Sequence, residues 1–133
     1  MKQELTSPLG RTYLTIETDV VNGWVSTNWQ GYLTAENVKA GAKAYIEALA
    51  EAGYHRVLND TRAVRGPWNH SLEWALNEWV PTAAAAGLRH IAMITVPESL
   101  ADESALAFNA QLTAFEMKMF DNETEAQKWL RQN

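Results

Sequence analysis

Hydrophobic and polar positions alternate from Tyr13 onward, so that Leu14, Ile16, Thr18 and Val20 share one side of an extended segment. Asn22-Gly23 follows. That pair suits a type I′ turn, because both central residues need positive φ. The pattern predicts a hairpin with Trp24 to Gln30 as its return strand. A two-residue turn would pair Val20 with Val25 and Ile16 with Trp29. Leu14, Ile16, Val20, Val25 and Trp29 would then face one core, and Trp24 the other face. After Thr34 the period becomes helical. Thr34 is the predicted cap, and Glu36 sits in the first turn. Val38, Ala42, Tyr45, Leu49 and Ala52 form one stripe, with Lys43, Glu47 and Glu51 opposite. Gly53 is the stop.

The next strand is predicted over Arg56 to Asp60. A second helix starts near Ser71, is broken or kinked by Pro81, and its region ends at Gly87. His90 to Val96 is an unbroken apolar run, the mark of a central strand covered on both faces, and Pro97 ends it. A third helix over about 101–116 puts Ala105, Phe108, Leu112 and Phe115 on one side. Met117 to Phe120 forms a short last strand. Asn122 and Glu125 resemble a capping box for a final helix that docks Ala126, Trp129 and Leu130 inward. Residues 1–12 read as a flexible lead-in, and residues 13–133 as a single domain. The order is β-β-α-β-α-β-α-β-α. It places the chain in the α/β class: an opening β-hairpin, then alternating α and β, giving a mixed, mostly parallel sheet covered by about four helices.

Composition narrows the function. At 133 residues and 47% hydrophobic, the chain can bury a core without staples. It has no cysteine, which removes disulfides, thiol nucleophiles and thiolate metal sites. The net charge is −5, and no Lys/Arg cluster offsets it, so a phosphate backbone would be repelled and nucleic acid is not an expected partner. No apolar run approaches the roughly 20 residues of a membrane span. Met1 to Arg11 lacks the apolar core of a signal peptide. The expectation is a cytoplasmic protein. Six tryptophans are many for this length, and one on an exposed face would be a functional signal.

Three stretches carry a family resemblance: the strand end Val57-Leu58-Asn59-Asp60-Thr61-Arg62, the strand His90-Ile91-Ala92-Met93-Ile94, and the tail from Met119 to Leu130. With the element order, they resemble the STAS superfamily and its SpoIIAA-like branch, also called STAS/SEC14-like, over about Tyr13 to Leu130. The resemblance implies a STAS/SpoIIAA-like fold in a branch where enzymes are not expected. No cofactor is expected. Antagonist-type STAS domains carry an Asp-Ser-(Ser/Thr)-Gly phosphorylation motif where the third strand meets the second helix. That motif is absent here. Ser71 sits in the right region and Thr61 follows the strand, but neither has the flanking pattern. The SEC14-like comparison implies an apolar ligand pocket.

The segment Arg56 to Gly87 is the candidate site, since α/β domains place ligands beyond strand ends. On a regular wheel Leu72, Leu76, Trp79 and Ala83 form the core stripe, with Trp68 on the same side. Trp74 lies opposite, near His70. It is either covered by the loop 63–69 or part of a ligand or partner surface with His70. Asp60 and Arg62 are either a loop-shaping pair or the polar floor of a ligand site. Asp60, His70 and Ser71 include the residue types of a hydrolase triad, but neighbours about 100° apart on a helix do not face each other, and no Gly-x-Ser-x-Gly elbow exists. His55, His70 and His90 lack metal spacing. Leu106, Ala110 and Ala114, on the second side of the third helix, are either buried under a terminal segment or the face of a homodimer. The leading expectation is a non-enzymatic interaction or regulatory domain. The alternative is a carrier or sensor of a small apolar, lipid-like ligand, with a hydrolase third.

Overall fold

The sheet is laid down in chain order. In the computed structural model, which describes residues 1–133, six strands sit side by side as β1-β2-β3-β4-β5-β6. They are β1 (Lys2–Thr6), β2 (Thr12–Asp19), β3 (Trp24–Gly31), β4 (Arg56–Val64), β5 (His90–Ile94) and β6 (Glu116–Phe120). The first two pairings are antiparallel and the last three parallel. This is the mixed, mostly parallel sheet behind an antiparallel opening that the element order predicts.

Lys2–Thr6 corrects the expectation of a flexible lead-in. It forms an edge strand against β2, with Leu5 opposite Leu14. Its side chains are almost all exposed, so no buried face imposes the alternation that marks a strand.

The hairpin also differs from expectation. Asp19 pairs with Trp24, Thr18 with Val25 and Leu14 with Trp29, leaving residues 20–23 as the loop. Asp19 is the reason. Its carboxylate accepts from the Asn22 amide at 3.0 Å and the Asn22 side chain at 2.8 Å, and its carbonyl accepts from Gly23 N. Gly23 takes φ 72°. The register moves by two residues, which preserves the faces. Leu14, Ile16, Val25 and Trp29 are in the main core as expected, and Trp24 is on the other face. Val20 leaves the core for the loop and is exposed.

Helix α1 (Ala35–Ala52) starts at Thr34, whose hydroxyl accepts from Asn37 N while the Asn37 side chain answers to Thr34 N. It buries Val38, Ala42, Tyr45 and Leu49. Gly41 lies on the same face because a Cβ there would press on the Trp29 ring and come within 2.7 Å of Leu14.

The second helical region is composite. A 3₁₀ turn (Asn69–Ser71) leads to α2 (Leu72–Trp74), a π stretch (Ala75–Trp79), and α3 (Val80–Ala85). Pro81 therefore neither breaks nor ends the helix. It lacks an N–H, and its ring crowds the carbonyl four residues back; the wider π turn upstream accommodates both. The wheel fails here, since 100° per residue holds only in a regular helix. The buried side is Ser71, Ala75, Trp79, Val80 and Ala83, while Leu72 and Leu76 are only half-buried.

Helix α4 (Leu100–Gln111) is capped by Ser99 and ends before the expected residue 116, because Leu112 is already extended. Helix α5 (Glu123–Arg131) is capped by Asn122 and buries Ala126 and Leu130. Helix α1, the composite segment and α4 cover one face of the sheet over the larger core. Helix α5 alone covers the other, where Trp24, Leu58, Ala92, Ile94, Ala126 and Leu130 form a second core.

Candidate functional site

Strand β4 runs on to Val64, so Asp60, Thr61 and Arg62 lie within a strand and not at its end. Alternation then separates them. Asn59 and Thr61 point to the face under α1 and the composite helix. Asp60 and Arg62 point to the α5 face, where Arg62 also reaches Glu123 at 4.0 Å. The Asp60 carboxylate accepts from Arg62 N, Nε and a terminal guanidinium nitrogen at 3.0, 3.0 and 2.7 Å. Those bonds hold the Arg62 pKa above its ordinary value, against the opposing effect of burial. The pair is thus closed on itself, and the sheet lies between it and Trp68, Trp74 and Trp79.

On the opposite face there is a pocket of about 70 Å³, lined by 15 residues of which 13 are hydrophobic. Its floor is β3, β4, β5 and β6, through Trp29, Asn59, Thr61, Ile91, Met93 and Met117. Its walls are Val38, Ala42 and Tyr45 of α1, Ala75 and Trp79 of the π stretch, and Phe108 of α4. The remaining three lining residues, Leu33, Trp68 and Trp74, are half-buried and form the mouth. The aromatic rings pack edge-on or tilted, as ring quadrupoles favour: Tyr45 and Trp79 at 5.6 Å, Trp68 and Phe108 at 6.0 Å. Trp79 is held by its indole N–H, which donates to the Ala42 carbonyl at 3.0 Å.

Trp74 is therefore not opposite the core. It packs against the main core, with Lys39 Nζ 5.9 Å from its ring. Its cover includes α1, which the wheel does not anticipate. Trp68 is at the mouth as well, its backbone N–H donating to Ser104 Oγ at 3.1 Å.

His70 is not in the pocket lining. Its Nε2 is 2.9 Å from the Leu33 carbonyl, and its Nδ1 is 2.9 Å from Ser71 Oγ. A carbonyl only accepts, so Nε2 carries the proton and Nδ1 is left to accept from the Ser71 hydroxyl. The two neighbours do meet, contrary to the wheel argument, because the segment is a 3₁₀ turn there. Ser71 is buried outside the pocket lining, and Asp60 is across the sheet from both. The three residues make no triad.

Leu106 and Ala110 are exposed on α4, so no terminal segment covers them. Ala114 lies beyond the end of that helix and does not continue its face. No group of three His, Asp or Glu side chains converges to hold a metal ion.

The pocket's polar residues escape the sequence reading. Asn59 and Thr61 alternate with the charged Asp60 and Arg62 along β4. Polar residues two apart on a covered strand face were the available signal. Thr61 Oγ1 donates to the Ile94 carbonyl at 2.9 Å. Asn59 Oδ1 accepts from Thr27 Oγ1, while its Nδ2 has only Met93 Sδ at 3.4 Å, a weak acceptor.

A family model described as SpoIIAA-like matches residues 24–131. Among solved structures, the chain is similar to an uncharacterized protein from the DUF3478 family with a SpoIIAA-like fold, from Shewanella loihica PV-4. The TM-score is 0.58 at 22% identity, over 88% of this chain and 91% of that one. At that identity the likeness concerns the fold. No curated protein matches.

Proposed function

We propose that the protein, which belongs to the SpoIIAA-like family, binds a small apolar ligand in the pocket between its sheet and the helices above it. The observation that carries this reading is the lining itself: 13 of 15 residues are hydrophobic, with two tryptophans at the mouth. Apolar concavity with a few inward polar groups is the usual form of a small-molecule site. The volume, about 70 Å³, is roughly half the ~150 Å³ void known to hold benzene. That favours a guest of ring size over a whole acyl chain. A ring enters when Trp68 or Trp74 yields. Trp74 belongs to the segment that mixes 3₁₀, α and π turns, and Trp68 immediately precedes it. Binding without turnover is favoured because the Ser71 hydroxyl lies outside the lining. Native mass spectrometry of the protein as isolated from cells tests the reading. The expected result is an added small mass that disappears in Ala42→Leu, which fills the pocket. Ligand-free protein that also takes up no small apolar molecule on titration would end it.

A second reading, an interaction module that pairs with another copy, is favoured by the exposure of Leu106 at 51% beside Ala110 on α4. Light scattering across a concentration series tests it. A monomer mass throughout rejects it.

A further inference from the structure

Tyr45 is the one phenol in the pocket lining. The residue is 4% exposed and lines the pocket. Desolvation alone pushes its pKa well above 10.0, and no hydrogen bond opposes the shift. A buried hydroxyl without a partner costs free energy. The one fully enclosed side-chain nitrogen or oxygen that lacks a partner is Trp24 Nε1, on the far face of the sheet. The Tyr45 hydroxyl is therefore not sealed off, and the pocket is the opening its side chain lines. Tyr45 is a protonated phenol with a donor to give. Asn59 Nδ2 is the pocket's second donor, spent only on sulfur. Turning the Asn59 amide over would set its oxygen against Met93 Sδ, which offers no proton, so the donor orientation stands. Thr61 Oγ1 gives its proton to the Ile94 carbonyl. The free donors of this lining are therefore the Tyr45 hydroxyl and Asn59 Nδ2, Thr61 Oγ1 keeping only acceptor capacity, and the walls around them are rings: Trp29, Tyr45, Trp68, Trp74, Trp79 and Phe108.

We infer that the ligand is a small flat ring bearing a hydrogen-bond acceptor, and that the Tyr45 hydroxyl is the donor that recognises it. This rests on the pocket reading above, and it specifies the ligand class further. The rings offer edges and faces to a flat guest, and a hydrocarbon alone would leave the phenol unpaired.

Benzene and pyridine test it, because they share a shape and differ by one ring acceptor. Both are titrated at pH 8 into wild-type protein and Tyr45→Phe, followed by the methyl resonances of Ala42, Ile91 and Met93. The expected result is that Tyr45→Phe weakens pyridine about tenfold, the loss of one buried hydrogen bond, and leaves benzene unchanged or tighter. Retained benzene binding also shows that the variant is folded. Pyridine affinity that is unaffected, or a parallel change for both probes, overturns the Tyr45 inference and leaves the pocket reading standing. Failure of both probes to bind wild type overturns both.

Discussion

His70 and Leu33, 37 residues apart, are joined by a 2.9 Å hydrogen bond from the imidazole Nε2 to the Leu33 carbonyl. The bond fastens the start of the composite helix to the segment between β3 and α1. Leu33 is part of the pocket mouth, so His70 shapes the mouth without touching the cavity. His70→Ala leaves the buried Ser71 hydroxyl without its ring partner and the Leu33 carbonyl without its donor. The expected cost is about 1–2 kcal/mol, read from urea denaturation. A change within about ±0.5 kcal/mol, the size of an ordinary surface substitution, would show that the bond is not formed in solution.

Gly41 faces Trp29 so closely that the helix carries no Cβ there. Gly41→Ala improves intrinsic helix propensity by about 1 kcal/mol, yet it drives a methyl into the indole ring and Leu14. Because that clash is with packed core groups and not a flexible tip, overpacking wins. Net destabilisation of about 1–3 kcal/mol is expected in thermal or urea unfolding. A stabilised variant would mean that Trp29 is free to move.

Arg56 fixes the smaller core. Its guanidinium donates to the carbonyls of Asn22 at 2.6 Å and Leu130 at 2.9 Å, and lies 5.4 Å from the Trp24 ring centre. It therefore ties the hairpin loop to the end of α5. Arg56→Met keeps much of the apolar stem and removes the donors. A loss of about 2–3 kcal/mol is expected, with faster hydrogen exchange in both the loop and the last turn of α5. Faster exchange at only one of the two would show that Arg56 does not couple them.

Asp19 makes the hairpin loop acid-sensitive. The Asn22 side-chain hydrogen bond, the largest influence, lowers the Asp19 pKa below its ordinary value, with backbone bonds from Asn22 and Val21 and the charge of Arg131 acting in the same direction. A carboxylate depressed on folding stabilises at pH above its unfolded value and loses that contribution as pH falls through the folded one. Stability should therefore decline as acid protonates Asp19, and Asp19→Asn should flatten that part of the profile. An identical acid decline in both proteins would remove Asp19 as its source.

Elements with at least one buried face were legible in the sequence. The stripe of α1, the apolar run of β5 and the Asn122 cap of α5 follow directly from the period of burial and from side-chain capping. The exposed edge strand β1 was not, because nothing about Lys2 to Thr6 has to alternate when neither side is covered. The site was legible only in part. Trp68 and Trp74 are at the pocket, but the wheel misplaced Trp74, since a 3₁₀ turn before it and a π stretch after it change the angle per residue. Asp60 and Arg62 stand out by their charge, and strand alternation puts them on the face opposite the pocket. Tyr45 looked like a plain member of a helical stripe. Its unpaired hydroxyl emerges only when the surrounding residues are in place.

The central claim is that the pocket takes a small apolar guest. Methyl resonances of Ala42, Ala75, Ile91, Met93 and Met117, which line it, give the most direct measurement as benzene is added. The expected result is saturable shifts concentrated on those methyls, absent in Ala42→Leu while the variant's remaining spectrum stays folded. Shifts that are absent, or that grow linearly and spread over exposed methyls such as Val21 and Leu106, would contradict it.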